Sequence, residues 1–130
     1  MTENRTKELL EDYKQALVRL NEALSEDLSK GSIVIDGTIQ RFEFTFELAW
    51  KLIKAVLQYQ GIEAATPRSA IKEGFRVGII KDGDGWIDIL EDRNKTSHIY
   101  DEKEAKVIYN KIKDLHIKLL KDLEQSIKLE

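Results

Sequence analysis

The sequence predicts an all-α protein, an up-and-down bundle of about five helices, three long and two shorter. Three observations predict it. Apolar residues recur at three- and four-residue spacing over long stretches. The single proline, Pro67, leaves room for long helices on both sides. The only stretch with strand character, Ser32-Ile33-Val34-Ile35, is too isolated to build a sheet.

The first helix is expected from about Thr2 to Leu28, with Leu9, Tyr13, Leu17, Leu20, Leu24 and Leu28 as one buried stripe on a charged rod and Gly31 as its stop. The second is the most apolar. Ile39, Phe42, Phe46, Ala49, Ile53 and Val56 form one stripe; Phe44, Leu48, Leu52 and Ala55 form another. A helix apolar on two faces packs on both sides, so it belongs at the centre or at a subunit interface. Asp36 is a candidate N-cap, and Gly61 a stop.

Thr66-Pro67 starts a short third helix, with Thr as cap and Pro at the first helical position. It carries Ala70, Ile71, Phe75 and Val77 and ends near Gly78. A turn at Lys81-Asp82-Gly83-Asp84-Gly85 leads into a fourth helix from Asp84 or Gly85, with Trp86, Ile87, Ile89 and Leu90 on its core side. The Asp-x-Asp start is not a calcium loop: Ile87 stands where the loop's Gly belongs, and Arg93 where its Glu belongs. A long last helix starts at Asp101, with Glu104 three residues on as in a capping box. Its stripe is Ala105, Ile108, Ile112, Leu115, Leu119, Leu123 and Ile127.

Composition sets the outer limits. At 130 residues, 42% hydrophobic and 35% charged, residues 1–130 are expected to form one domain with a sizeable core. There is no Cys, so disulfides, thiolate metal sites and Cys nucleophiles are excluded. No apolar run approaches the ~18 residues of a membrane span, and the N-terminus has no signal-peptide h-region; a cytoplasmic location is expected. With 21 basic and 24 acidic residues, the net charge of −3 is not the footprint of a duplex-binding protein.

One run concentrates the chemistry: Arg93-Asn94-Lys95-Thr96-Ser97-His98-Ile99-Tyr100. Arg93 offers a planar fork suited to phosphate oxygens. Asn94 donates and accepts hydrogen bonds, and Ser97 adds a hydroxyl. His98 exchanges protons near neutral pH, and Tyr100 presents a second hydroxyl. Residue types alone leave two readings open, a solvated helix end and a phosphate site. Five residues on an ideal helix set Arg93 and His98 about 140° apart, so they meet only if the helix bends or ends, or across a two-fold axis.

Other polar residues are weighed the same way. Glu43 and Glu47, four apart on the apolar helix, could pair with Arg93 or position substrate; a solvated edge is the simpler reading. Trp50 and Trp86 read as packing anchors. His116 has no second His or carboxylate at metal-ligand spacing on its own face, so no metal site is expected there. No motif implies a cofactor.

Arg93-Asn94-x-x-x-His98 resembles the signature of the HEPN superfamily, and His98-Ile99-Tyr100 extends it to the R-x4-H-x-Y form. The run Gln40-Arg41-Phe42-Glu43-Phe44-Thr45-Phe46-Glu47-Leu48-Ala49-Trp50-Lys51 is similar to the central helix of the HepT-like subgroup, the nucleotidyltransferase substrate-binding proteins. Thr66-Pro67-Arg68 and Trp86 sit where that subgroup's pattern has them. The resemblance covers nearly the whole chain. It implies a homodimer whose Arg-x4-His segments face a shared cleft. It also implies a separately encoded minimal nucleotidyltransferase as partner, often in a toxin–antitoxin pair. As in metal-independent RNases of the superfamily, His98 would act on a ribose 2′-hydroxyl or the leaving oxygen, Arg93 would hold the phosphate, and Asn94 would orient it. Tyr100 would be adenylylated by the partner. The alternatives are a non-catalytic subunit that binds substrate or nucleotide, and a dimer whose polar segment only docks the partner.

Overall fold

The computed structural model describes residues 2–127. All of its regular structure is helical, as the apolar spacing predicts. The order is α1 (Thr2–Leu24), a 3-10 turn (Leu28–Lys30), α2 (Ile33–Tyr59), α3 (Pro67–Arg76), α4 (Gly83–Lys95), a 3-10 turn (Thr96–His98), α5 (Glu102–Lys111), a π-helical turn (Ile112–His116) and α6 (Ile117–Ser126). The last three run on without a break, because the residues joining them keep right-handed helical dihedrals. They form the single long helix expected at the end of the chain.

At 27 residues, α2 spans about 40 Å and is the axis of the bundle. It packs along α1 and also touches α3, α4, α5 and α6. Phe42, Phe46, Ala49, Leu52, Ile53 and Leu57 are wholly buried along it. They join Leu9, Tyr13, Leu17 and Leu20 of α1, Ile71 of α3, Trp86 and Ile89 of α4, and Ile112 and Leu120 of the last helix in one apolar cluster. Burial of this connected surface is the main force holding the helices together. First and last helices are also tied directly: the buried Tyr13 hydroxyl donates to the Leu120 carbonyl oxygen at 2.5 Å. Burial, with the Glu124 charge adding to it, pushes the Tyr13 phenol well above its ordinary pKa, so it stays a donor.

Helix ends follow local chemistry. The Thr66 hydroxyl accepts from the Ser69 amide, while the Ser69 hydroxyl accepts from the Thr66 amide, a complete capping box. Asp82 accepts from the Gly85 amide and starts α4 slightly before the expected point. Asp101 accepts from the Glu104 amide as expected, but Glu104 reaches back to the Tyr100 amide instead of that of Asp101. Gly61 ends α2 at φ +81°, a conformation other residues rarely adopt.

Four expectations are corrected. α1 ends at Leu24, because Asp27 caps a separate 3-10 turn that Gly31 closes. Ile33-Val34-Ile35 is helical: α2 begins at Ile33, with Ser32 at its N-cap, so Asp36 lies in its first turn, where its charge favours the N-terminal dipole. Phe44, placed on the second apolar stripe of the central helix, is 55% exposed, and Phe75 among the apolar residues of the third helix is 54% exposed. On the last helix Leu115 is exposed while His116 is buried. The π turn is the cause. Its wider turn rotates the following residues, so His116, Ile117 and Leu120 face inward and Leu115 faces out.

Among the described residues, no helix is long and apolar enough to cross a membrane.

Candidate functional site

The polar run occupies the corner between α4 and α5. Arg93 and Asn94 lie in the last turn of α4, Ser97 and His98 in the 3-10 turn, and Tyr100 just before the Asp101 cap. Tightening from α to 3-10 geometry leaves Arg93 and His98 on roughly opposite sides of the rod, because each 3-10 residue adds ~120°. The contacts agree. Arg93 turns toward α2, where its Nη1 lies 3.8 Å from Glu43 Oε2. Thr96 Oγ1 lies 2.7 Å from the same Glu43 oxygen and 2.6 Å from the Arg93 carbonyl oxygen, and its one proton serves one acceptor at a time. His98, exposed, lines a cavity on the other side, against α5. Among the described residues no hydrogen bond or ion pair joins Arg93 to His98 within one chain.

Glu43 therefore meets Arg93. Glu47 does not; it pairs with Lys51 at 3.5 Å on the surface. The Ser97 hydroxyl donates to the Asn94 carbonyl oxygen at 3.1 Å and fastens the 3-10 turn, leaving the Asn94 side chain exposed. Arg93 Nε is buried with no hydrogen-bond partner among the described residues, so the guanidinium keeps donor capacity in reserve. Tyr100 is 83% exposed, with its backbone held by Glu104.

Beneath this corner lies a polar network that the sequence did not reveal. Asp92, the neighbour of Arg93, is fully buried. Its Oδ2 is 2.6 Å from His116 Nε2 and 2.8 Å from Lys111 Nζ. Lys111 also reaches Asp88 Oδ1 at 2.8 Å. The His116 ring stacks on Phe42 of α2, centroids 5.7 Å apart. Burial pushes the Asp92 carboxyl upward, but hydrogen bonds and charge from His116 and Lys111 outweigh it and hold Asp92 below the usual carboxylate range. Burial likewise pulls Lys111 down, and its hydrogen bonds to Asp88 and Asp92 overcome this and raise it. Asp92 is thus ionised near neutrality, and His116 Nε2 carries the proton it donates.

This corrects the reading of His116. Ligand atoms of Asp88, Asp92 and His116 lie within 4.8 Å of one another, a grouping able in principle to hold a metal. The carboxylates come from α4, so spacing along the last helix could not find them. The Lys111 ammonium already bridges the two aspartates and supplies the positive charge there. A faint signal existed: Asp88 and Asp92 are one α turn apart, and Lys111 and His116, five apart, are one π turn apart.

A helical bundle with an Arg-x4-His-x-Tyr corner defines the class. Residues 8–129 match the model of the family described as "Nucleotidyltransferase substrate binding protein like". The chain belongs to that family, in the HepT-like group that its motif resembles. It is similar to the probable ribonuclease HepT of Haemophilus influenzae, 37% identical over 100 residues covering 71% of this chain and 68% of that protein. Among solved structures it resembles a Thermus thermophilus protein at TM-score 0.80 and 30% identity, over 89% of this chain and 99% of the other. It also resembles a Haemophilus influenzae protein at TM-score 0.67 and 28% identity, over 95% and 96% of the two chains. That structure is described as revealing the fold of a substrate binding domain of a nucleotidyltransferase.

Proposed function

We propose that this protein is an RNA-cleaving partner of a separately encoded minimal nucleotidyltransferase. The two would form a toxin–antitoxin module, and adenylylation of Tyr100 would silence the nuclease. Residues 1–130 act as one HEPN-like domain in this reading, working as a cytoplasmic homodimer. The observation that carries it is the α4–α5 corner. It offers a guanidinium steadied by Glu43 with a donor to spare, an exposed imidazole, and an exposed phenol two residues on. The probable ribonuclease activity of the Haemophilus relative supports the same reading.

The chemistry is internal transesterification. His98 takes the proton of a ribose 2′-hydroxyl, whose oxygen attacks the adjacent phosphorus. The bond to the 5′-oxygen breaks, and that oxygen leaves with a proton from the partner copy's imidazole or water. A 2′,3′-cyclic phosphate and a 5′-hydroxyl result. Arg93 holds the phosphate and stabilises its developing charge, with Asn94 orienting it. No metal is needed for these roles. Within one chain Arg93 faces α2 and His98 faces α5, so a complete clamp needs groups from two copies. The exposed Phe44, next to Glu43, supplies apolar surface for that contact. An AMP group on Tyr100 would put anionic bulk beside the cleft and exclude RNA.

The deciding experiment is RNA cleavage by purified wild type and His98→Ala. Loss of cleavage and of growth inhibition with an unchanged oligomer supports the proposal; equal cleavage by the variant rejects it. Incubation with the nucleotidyltransferase and ATP should add one AMP mass, absent in Tyr100→Phe. A second reading, a non-catalytic subunit that presents substrate to the nucleotidyltransferase, is favoured by the description of the second Haemophilus relative and by the net charge of −3. It predicts nucleotide binding without strand scission by wild type.

A further inference from the structure

Beside His98 is a cavity of about 290 Å³ that the chemistry above leaves unused. Ile99, Val107 and Ile108 form its apolar walls, and Asp92, Lys95 and Lys111 its polar edge. The volume is near the lower limit of small-molecule sites, suited to one ring system rather than an extended ligand. Asp92 gives the edge its character. Its Oδ2 is occupied by His116 and Lys111, but Oδ1, also buried, has no hydrogen-bond partner among the described residues. Lys95 Nζ stands 4.0 Å from Oδ1, beyond hydrogen-bond range, on a side chain that is 69% exposed and free to move. A buried carboxylate oxygen left unsatisfied is costly and calls for a donor.

We propose that this cavity is a nucleobase pocket that takes one base of the RNA strand whose phosphate lies at His98, an inference that rests on the RNA-cleaving reading. The match is chemical. A base presents two apolar faces, suited to the aliphatic walls. Its edge carries an N–H donor next to an acceptor. Oδ1 is closed to solvent in this structure, so the N–H reaches it only after the neighbouring Lys95 side chain swings aside, and Lys95 then donates to the acceptor. The competing ligands fit less well. A bare phosphate would meet the carboxylates of Asp92 and Glu104 as well as Lys95, Lys111 and His98 and would leave the apolar walls uncovered, and a metal ion would compete with the Lys111 ammonium already seated between Asp88 and Asp92. An aliphatic ligand would leave Oδ1 unsatisfied.

The test titrates the full-length protein with 5′-AMP, GMP, CMP and UMP, and with ribose 5-phosphate as the base-free control, followed by backbone amide NMR. At least one mononucleotide should move the Ile99, Val107 and Ile108 amides to saturation, and ribose 5-phosphate should not. Val107→Glu puts a carboxylate on an exposed helical position of the wall, so circular dichroism should report an unchanged fold. That variant should weaken mononucleotide binding about tenfold, equivalent to ~1.4 kcal/mol. It should also raise KM for RNA with kcat retained. Equal shifts from ribose 5-phosphate, or no shift at these amides from any mononucleotide, overturn the pocket. If RNA is cleaved in a His98-dependent way yet Val107→Glu changes neither binding nor KM, the pocket fails and the nuclease reading stands. If mononucleotides bind there while wild type cleaves no RNA, the nuclease reading fails and the pocket stands.

Discussion

His116 Nε2 lies 2.6 Å from Asp92 Oδ2, and both side chains are 1% exposed. Their contact fixes the end of α4, and with it the neighbouring Arg93, against the π turn of the last helix. The network is buried and mutually dependent, which makes it the most sensitive polar feature of the fold.

Removing one partner should therefore be severe. Asp92→Ala leaves Lys111 and His116 without their shared acceptor and should cost about 3–5 kcal/mol in urea unfolding. Replacing the set together, with Asp92→Leu, Lys111→Met and His116→Phe, should recover most of that loss, because a buried ionic group is often no better than a packed apolar one. A triple variant as unstable as the single one would contradict this account.

The same network sets a pH window. The folded-state pKa of Asp92 is depressed, so its contribution is present above the unfolded value of about 3.9 and is lost as pH falls through the folded value. The folded-state pKa of Lys111 is raised, so its contribution is present below about 10.4 and is lost as pH rises through the folded value. The stability gap between wild type and Asp92→Ala should close in acid. Denaturant midpoints across pH measure it.

Glu43→Gln separates folding from activity. The Glu43–Arg93 pair is about one-third exposed, so its loss should change stability by less than ~1 kcal/mol. On the proposed nuclease activity, cleavage should fall about tenfold, ~1.4 kcal/mol in the barrier, as Arg93 loses its tether. Thermal unfolding and a single-turnover RNA assay read the two effects independently.

Gly85 is fixed by contact. A Cβ there would stand 2.5 Å from Leu119 Cδ1 and 2.6 Å from Asp82 Oδ2, against both a packed side chain and the cap of α4. Gly85→Ala should destabilise by about 1–3 kcal/mol. Gly37→Ala, with open space at its Cβ, is the control expected to fold at least as stably as wild type.

On the proposed homodimer, Phe44→Asp should give a 15.0 kDa monomer in light scattering while leaving the helical content intact, because the ring is exposed in one chain. An unchanged dimer mass would rule Phe44 out of the contact, and a monomeric wild type would reject the homodimer.

Helix identity was legible because each helix repeats a signal many times. Tyr13, Leu17 and Leu20 on α1, or Phe42, Phe46 and Ile53 on α2, all report the same face. The Thr66-Pro67 start and the Gly61 stop were legible because those residues have few alternative uses. The Arg93-to-Tyr100 run stood out because it is polar where an apolar stripe should continue. What escaped was phase and partnership. The π turn changes the period once, so Leu115 and His116 exchange places with no local warning in composition. Asp92 reads as one more charge on a wet helix, and only its partners from the last helix make it a buried group. Phe44 stood on the second apolar stripe of α2, and periodicity alone does not say whether such a stripe is covered or left open.

The π turn has a consequence for variation along the last helix. A widened turn is what one additional residue leaves behind when a regular helix absorbs it without losing its neighbours. Deleting one residue among Lys113, Asp114 and Leu115 would restore an ordinary ladder and keep Leu120 and Leu123 in place. His116, which follows the deletion, stays with them: it would stand four residues from Lys111, one ordinary turn, and still reach Asp92. A variant lacking one residue there should keep both its helical content and the anchor beneath Arg93, whereas loss of one residue from the regular ladder of α6 would shift every later contact, so the widened turn is where the length of this helix can change without unbracing the α4–α5 corner.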